Sequence, residues 1–169
     1  MSADLAVDLR HADPADYDAI IELVDVWWGG RQMTDMLPRL FFTHFRPTSF
    51  IAEVDGAIAG FLAGFISQTD PDVGYVHFIG VDPTMRGRGL GETLYGAFFD
   101  AARSRGCRVV RAVTSPVNRT SIAFHQQIGF RVLPGNAESE GVAYTTDYDG
   151  PGRPCVRFEY DLKNRKQGD

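Results

Sequence analysis

A glycine-rich segment between a predicted strand and a predicted helix is the feature that most narrowly limits what this chain can fold into. Residues 81–91 read Val-Asp-Pro-Thr-Met-Arg-Gly-Arg-Gly-Leu-Gly, after a predicted strand at Val73–Val81. Glycines allow the backbone to turn sharply and to approach a ligand closely. The exposed N–H groups and the dipole at a helix start favour a phosphate, and Arg86 and Arg88 add positive charge. The segment therefore predicts a pyrophosphate site within a strand–turn–helix unit.

Other phosphate-binding motifs fit this segment poorly. A Walker P-loop ends in Gly-Lys-Ser/Thr, which is not present here. A dinucleotide-binding fingerprint requires glycine where Glu92 stands, and it normally follows an early strand of a parallel unit. A solvated glycine turn with two surface arginines remains the structural alternative.

The remaining patterns predict one α/β domain over residues 1–169. Asp55-Gly56 predicts a hairpin between strands at Phe50–Val54 and 57–67. The strand–helix–strand order from Val73 to Thr114 predicts parallel neighbours, so the single sheet is mixed, with helices on both faces. Further strands are predicted at 5–11, 109–114, 130–133 and 156–162, two helices before residue 47, a long helix closed by Gly106, and a helix at 118–128. A polar loop is predicted before the last strand.

Charge and composition exclude several classes of protein. The net charge of -5 argues against nucleic acid as the main partner. Cys107 and Cys155 are predicted to be reduced and buried, and no histidines or cysteines have metal-ligand spacing. The longest apolar run, 57–66, is too short to cross a bilayer. A secretory signal is not evident, so a cytoplasmic location is expected, with frayed chain ends at 1–4 and 163–169.

Two motifs resemble the GNAT superfamily of N-acyltransferases. Arg86-Gly-Arg-Gly-Leu-Gly91 matches the family's Arg/Gln-x-x-Gly-x-Gly/Ala signature, and residues 118–130 resemble its later helix, which begins with Asn and ends in Gly-Phe. The resemblance implies acetyl-CoA as co-substrate and a splayed sheet that parts beside Val81. It implies that the pantetheine arm meets backbone groups of Ile79 and Val81 and, at its end, Asn118. The residues implied to hold the pyrophosphate are Arg86, Gly87, Arg88, Gly89, Leu90, Gly91 and Glu92.

Two histidines are the candidates for proton transfer. In many members of the resembling family a tyrosine near the end of the last helix protonates the leaving thiolate, and here that position is His125. A histidine has a reference pKa near neutral pH and could donate the proton, although a packing role is the alternative. His77 is the best candidate for a general base, because strand alternation places it on one face with Ile79 and Val81, opposite Phe78. Glu53 and Asp147 are weaker candidates, and a histidine that only satisfies its own hydrogen bonds is again the alternative.

The acceptor is expected to be a primary amine of a small molecule or peptide. Adjacent Trp27 and Trp28 cannot both point inward on one helix, so one is predicted to line a pocket or a dimer contact. Acidic and aromatic residues in the loop 143–152 could hold a cationic amine, and a solvated turn is equally compatible. The resemblance also allows a homodimer. The rival function is an acyl-CoA-binding sensor or partner-binding module without turnover.

Overall fold

The computed structural model describes residues 5–163, so most of the predicted frayed ends lies outside the described residues. Within this range the helices are α1 (Asp16–Trp27), α2 (Leu40–His44), α3 (Leu90–Ser104) and α4 (Arg119–Ile128). The strands are β1 (Val7–His11), β2 (Phe50–Val54), β3 (Ala57–Ile66), β4 (Val73–Val81), β5 (Val109–Thr114), β6 (Arg131–Val132), β7 (Ala137–Ser139), β8 (Val142–Tyr144) and β9 (Val156–Asp161). Short 3₁₀ turns lie at Thr34–Met36, Arg46–Thr48 and Pro83–Met85.

The predicted element order is confirmed except in the stretch before the last strand. Among residues 5–163, seven strands are hydrogen-bonded in the order β1-β2-β3-β4-β5-β9-β6. The stretch predicted as a polar loop contains the separate hairpin β7–β8. Its turn uses Glu140 and Gly141, which both have positive φ angles of 49° and 79°. This hairpin was not predicted, because glutamate is not a usual residue of such a turn.

The described residues divide into two compact units, and β4 contributes residues to both. The first unit comprises residues 5–66 and 76–105, and the second comprises residues 67–75 and 106–163. In the first unit β1 pairs antiparallel with β2, and β2 pairs antiparallel with β3. The predicted hairpin is confirmed, because Asp55 and Gly56 both adopt positive φ angles, 51° and 78°, between the paired residues Val54 and Ala57. That turn directs β3 back along β2.

Helices cover both faces of β3, as predicted. A side chain on Gly60 would point at Leu94 of α3. The next residue, Phe61, points the other way and stacks on Trp27 of α1, with ring centroids 6.2 Å apart. Successive residues of a strand face opposite sides, so α1 and α3 lie on opposite faces. The core on the α1 side consists mainly of aliphatic and aromatic residues: Ile20, Val24, Trp27, Leu37, Phe41, Phe42, Ile51, Phe61 and Phe78.

The two adjacent tryptophans both contact the aromatic core, although Trp28 is only half-buried. Trp27 is the last residue of α1 and is buried, whereas Trp28 is the C-cap and has left the helical conformation. The Trp28 ring therefore reaches Phe78, with ring centroids 4.9 Å apart. The expectation that both rings cannot face inward was wrong because it assumed that the helix continues through Trp28. A pocket or dimer contact at half-buried Trp28 stays a prediction.

Gly80 leaves the space that the Trp28 ring occupies. A Cβ atom at Gly80 would lie 2.7 Å from both Phe61 and Trp28. We expect Gly80→Ala to lower the free energy of unfolding by about 1–3 kcal/mol, because two packed aromatic rings would have to move. Gly96→Ala in α3 is the matched control, since its Cβ would meet nothing within 4 Å. It should raise stability by about 0.5–1 kcal/mol, as alanine does for glycine within a helix. Urea denaturation measures the free energy of unfolding of both variants. An equal change for Gly80→Ala and Gly96→Ala would contradict the packing of the two rings against Gly80.

The second unit is built on β5 and β9. β9 pairs antiparallel with β5 along six residues and with β6 along two. The start of β4 pairs parallel with β5, which confirms the predicted parallel neighbours. Within the described part of the chain this parallel pairing joins Val73–Tyr75 to Val109–Arg111 and goes no further along β4. Such short pairing is the feature that the predicted splayed sheet requires.

Candidate active site

The glycine turn before α3 lies in the first unit and is open to solvent. Gly87 and Gly89 adopt left-handed φ angles of 75° and 81°, and a Cβ atom on either would meet nothing within 4 Å. Gly89 is the N-cap of α3, and no side chain caps the helix there. The 15-residue helix thus starts with backbone N–H groups that receive no side-chain partner at the cap. A helix start of this kind favours an anion.

The residues predicted to hold the pyrophosphate differ in which of their groups a ligand could reach. Leu90 is buried at 2% exposure, so only its backbone can face a ligand. Arg86 donates from its guanidinium to the carbonyl oxygen of Trp27 at 3.3 Å, which attaches the turn to the end of α1. Arg88 is exposed, and its guanidinium lies 4.0 Å from the sulfur of Met85. Arg88 can therefore turn towards a phosphate by giving up only this weak contact to sulfur. Glu92 places an acidic group in the first helical turn.

Exposure alternates along β4, where Val76, Phe78 and Gly80 are buried and His77, Ile79 and Val81 are half-buried. This alternation agrees with the predicted face shared by His77, Ile79 and Val81. Phe78 packs on Trp28 and on Phe61. The ring of His77 also reaches Phe41, with ring centroids 4.7 Å apart, and so contacts the aromatic core. That this face lines the acceptor cleft stays a prediction.

The imidazole of His77 is held by a backbone carbonyl. Its Nε2 lies 2.6 Å from the carbonyl oxygen of Met36. A carbonyl only accepts, so Nε2 carries the hydrogen, and Nδ1 is the nitrogen that could take a proton. Of the weaker candidates, Glu53 accepts two hydrogen bonds from Arg10 on β1, at 3.2 and 2.8 Å. Asp147 accepts the N–H of Gly152 at 2.7 Å and thereby closes its own turn.

Asn118 and His125 lie on α4 in the second unit. Asn118 is the N-cap of α4, and its side-chain oxygen accepts a hydrogen bond from the N–H of Ser121 at 3.1 Å. The first residue of the second family motif therefore also starts the helix. His125 is 3% exposed and stacks on Phe158, with ring centroids 4.6 Å apart and planes 5° apart. Its Nδ1 lies 2.7 Å from the carbonyl oxygen of Ser121, so Nδ1 carries the hydrogen.

Burial lowers the pKa of His125 below its ordinary value, although the hydrogen bond to Ser121 opposes this. The folded state therefore prefers the neutral ring. When the pKa of a group is lower in the folded than in the unfolded state, the protein loses stability as the pH falls below the pKa of the unfolded state. For histidine that pKa is about 6.5. We expect the free energy of unfolding to decline below about pH 6.5 with a contribution from this residue of at most 1.4 kcal/mol per pH unit.

His125→Phe removes that titration and should flatten the decline. Urea denaturation at pH 8, 7, 6 and 5 measures the slope for both proteins. His44→Gln, at an exposed histidine of α2, controls for the loss of a histidine as such. Parallel curves for the wild type and His125→Phe would contradict the burial argument.

The loop that was predicted either to hold a cationic amine or to be a solvated turn carries a polar and aromatic cluster in the second unit. Tyr148 is 44% exposed and has the guanidinium of Arg157 over its ring at 5.3 Å. Burial, together with a hydrogen bond to Asp149, raises the pKa of the Cys155 thiol to about 12. Burial and the neighbouring Tyr148 and Asp149 also raise the pKa of Tyr75. Sequence reasoning missed Tyr75 because only the fold brings it to this loop.

Both cysteines are free and buried, as predicted. Across residues 5–163 no three His, Cys, Asp or Glu side chains are grouped so that they could hold a metal ion. None of the helices in the described range has the length and apolarity needed to span a membrane.

The chain belongs to the GNAT acetyltransferase family. The model of that family, described as the acetyltransferase (GNAT) family, matches residues 17–130. This range includes the glycine turn, the start of α4 and the Gly129-Phe130 pair, so the resemblance inferred from the two motifs is confirmed.

Individual relatives agree with the family assignment. The L-2,4-diaminobutyric acid acetyltransferase of Nocardia farcinica is 35% identical over 92 residues, which are 54% of this chain and 48% of that protein. The chain thus spans about half the length of this curated relative.

Solved structures show the same fold. The YncA protein of Salmonella typhimurium with its cofactor acetyl-CoA has a TM-score of 0.67 at 24% identity, covering 97% of this chain and 98% of that one. The diaminobutyrate acetyltransferase EctA of Paenibacillus lautus, in complex with L-2,4-diaminobutyric acid and coenzyme A, has a TM-score of 0.66 at 20% identity. That match covers 97% of this chain and 99% of the other. The predicted GNAT-like α/β fold is confirmed.

Proposed function

We propose that this chain is a single-domain N-acetyltransferase that moves the acetyl group of acetyl-CoA to a primary amine of a small molecule or peptide. The family match supports one domain, because residues 17–130 run through both compact units. The observation that carries the proposal is the open turn at the start of α3, where two left-handed glycines and exposed Arg88 stand at an uncapped helix. Together these features suit the pyrophosphate of a coenzyme A thioester.

The cofactor is proposed to lie along residues that the resemblance names. The pyrophosphate meets the turn from Arg86 to Glu92, and the pantetheine arm meets backbone groups of Ile79 and Val81. Asn118 meets the end of that arm. Support comes from relatives of the same fold whose structures hold acetyl-CoA or coenzyme A.

The proposed reaction is direct attack in a ternary complex. An aliphatic amine has a pKa of about 10, so it must lose a proton before its nitrogen attacks the thioester carbon. A backbone N–H of β4 stabilises the oxyanion that forms. The carbon–sulfur bond then breaks, an amide remains on the acceptor, and the coenzyme A thiolate takes up a proton.

The roles of the two histidines stay predictions. As an acid, His125 would need a charged ring, because its Nδ1 hydrogen is already donated to Ser121. Burial opposes that charge. The packing alternative is therefore favoured physically, and His125→Phe separates the two: unchanged kcat at saturating amine rejects the acid role. His77 could act as a base only through Nδ1.

A small amine is the acceptor class that we propose first. L-2,4-diaminobutyric acid is the acceptor in the name of the Nocardia farcinica relative and is bound in the EctA structure. Because the chain covers about half of the Nocardia protein, the acceptor itself is the open part of the proposal. The alternative function, acyl-CoA binding without turnover, predicts that the protein binds acetyl-CoA tightly and acetylates none of the tested amines. The chain is further proposed to act in the cytoplasm, and a homodimer remains a prediction for analytical ultracentrifugation.

A thiol-release assay tests the proposed function. The protein is mixed with acetyl-CoA and one amine at a time, starting with L-2,4-diaminobutyric acid and continuing through amino acids, polyamines, aminoglycosides and peptides. Free thiol and acetylated amine should appear in equal amounts with at least one acceptor. Binding of acetyl-CoA by calorimetry without release for any amine would favour the non-catalytic alternative. No binding at all would overturn the cofactor assignment.

Arg88→Gln is expected to weaken acetyl-CoA binding by about 10-fold, because a charged hydrogen bond to phosphate is lost. Arg105→Gln is the matched control, since Arg105 is an exposed C-cap at the opposite end of the same helix. The control should bind within about twofold of the wild type, because charge effects at an exposed site fade with distance. Calorimetry at low and high salt measures both variants. Equal weakening by the two would show a general charge effect and contradict a contact at Arg88.

A further inference from the structure

Three hydrogen bonds from outside hold the short segment of residues 33–36 in the first unit. The carboxylate Oδ1 of Asp25 on α1 accepts the N–H groups of Met33 and Thr34, at 2.7 and 3.1 Å. The Nε2–H of His77 on β4 donates to the carbonyl oxygen of Met36 at 2.6 Å. Both ends of the segment are thus tied to side chains of other elements.

The chain that leads into this segment is a two-glycine turn, closed by backbone hydrogen bonds from Gly29 to Val26 and from Gly30 to Asp25. Gly29 and Gly30 follow α1 with left-handed φ angles of 68° and 85°, and their Cβ positions are open. Met36 is 41% exposed, while the next residue, Leu37, is 1% exposed and enters the core. Met33, at the start of the segment, is half-buried and packs against the core. The segment is thus a surface element held by this contact and by its hydrogen-bonded anchors, and loss of an anchor should increase its local opening.

The ring of His77 is itself fixed. It stacks on the buried ring of Phe41, with centroids 4.7 Å and planes 11° apart. The stack sets the plane in which the Nε2–H points, so the hydrogen bond to Met36 has a defined direction.

The anchored segment lies close to the part of β4 where we propose the pantetheine arm. His77 precedes Ile79 by two residues, and two strand residues span about 7 Å. That distance is comparable to one side chain. A segment attached at His77 is thus placed next to the thioester if the proposed function is correct.

We propose that His77 and Asp25 are positioning residues that hold the 33–36 segment beside β4 as the surface on which the acceptor amine is oriented. This inference rests on the proposed function. Neither residue has to touch the reacting atoms in this role. Loss of an anchor weakens acceptor binding and orientation and leaves the cofactor turn of residues 86–92 unchanged.

Two substitutions of His77 separate positioning from base catalysis. His77→Phe keeps a ring that can stack on Phe41 but removes the donor. His77→Gln keeps an N–H donor near the position of Nε2 but cannot serve as a base. We expect His77→Phe to raise the acceptor KM by about 10-fold, with acetyl-CoA affinity within twofold, and His77→Gln to restore most of the loss.

Asp25 provides a second, independent pair of variants. Asp25→Ala removes the acceptor of two N–H groups, whereas Asp25→Asn keeps an oxygen that can accept them. The alanine variant should raise the acceptor KM in the same way, and the asparagine variant should recover it. Hydrogen exchange at residues 33–36 should quicken in His77→Phe and in Asp25→Ala, which checks the holding of the segment without any turnover.

The outcomes are distinct. Unchanged acceptor KM in both His77→Phe and Asp25→Ala, in a protein that acetylates an amine, overturns the inference and leaves the proposed function intact. An equal loss of kcat in His77→Phe and His77→Gln, with a flattened pH–rate profile, overturns positioning in favour of base catalysis. A wild type that binds acetyl-CoA but releases no thiol with any of the tested amines overturns the proposed function. The acceptor role of the segment is then overturned with it.

Discussion

Phe158→Ala is expected to lower the free energy of unfolding by about 3–5 kcal/mol, the range for removing a fully buried aromatic ring. Phe158 is 0% exposed and lies on β9, where it pairs with Ala112 of β5 and Val132 of β6. Its ring stacks on His125 and meets Phe130 edge-on at 6.3 Å. The substitution would leave a cavity at the centre of the second unit.

The same variant should change the titration of His125. The cavity admits water beside the imidazole, and burial is the main cause of its lowered pKa. The pKa of His125 should return towards its ordinary value, which reduces the loss of stability below neutral pH. Urea denaturation across pH measures both effects, and NMR titration of the imidazole reports the pKa directly.

Phe158→Leu keeps the experiment informative if the alanine variant fails to fold. Leucine fills much of the space, so its cost should be smaller than that of alanine. A loss below 1 kcal/mol for Phe158→Ala would show that the site collapses around the smaller residue, and the central packing role would be rejected.

Gly89→Val is expected to weaken acetyl-CoA binding by at least about 100-fold. Gly89 has a φ angle of 81°, in the left-handed region where a β-branched residue is strained. To relieve that strain the backbone must rotate at the N-cap of α3, and the first N–H groups then turn away from the phosphate. Losing two hydrogen bonds to a charged group costs about 3 kcal/mol, which corresponds to the stated change in affinity.

Gly106→Val is the matched control for strain. Gly106 follows α3, has a φ angle of 83°, and its Cβ would also meet nothing within 4 Å. Both variants should lose stability by about 1–2 kcal/mol, the cost of a side chain in this conformation. Only Gly89→Val should lose affinity in calorimetry. Equal affinity for the two variants would place the pyrophosphate elsewhere.

Local patterns in the sequence were sufficient for much of the fold. Asp55-Gly56 predicted the hairpin between β2 and β3, because both positions require positive φ angles that few residues tolerate. The glycines at 87 and 89 predicted the open turn for the same reason. Where the local signal was unusual, as at Glu140-Gly141, the hairpin was missed.

The failure at the end of α1 has a different origin. Helical periodicity turns Trp28 away from the aromatic core, yet the helix ends at Trp27 and the Trp28 ring reaches Phe78. Periodicity applies only within a regular element, and tertiary packing decides where that element stops. Along β4, where the strand continues, the predicted alternation agrees with the burial of Phe78 and the partial exposure of His77.

For the candidate site, the sequence by itself determined the position of the glycine turn, the two motifs of the family and the positions of the candidate histidines. These features depend only on residue type and on spacing along the chain, and both can be read directly from the sequence. Only the tertiary structure decided what those residues can do. It engages Arg86 with Trp27 and exposes Arg88, ties His77 to Met36, and buries His125 against Phe158. The reason is physical: hydrogen-bond partners and solvent exposure belong to residues distant in sequence, and they determine which groups can carry charge or move a proton.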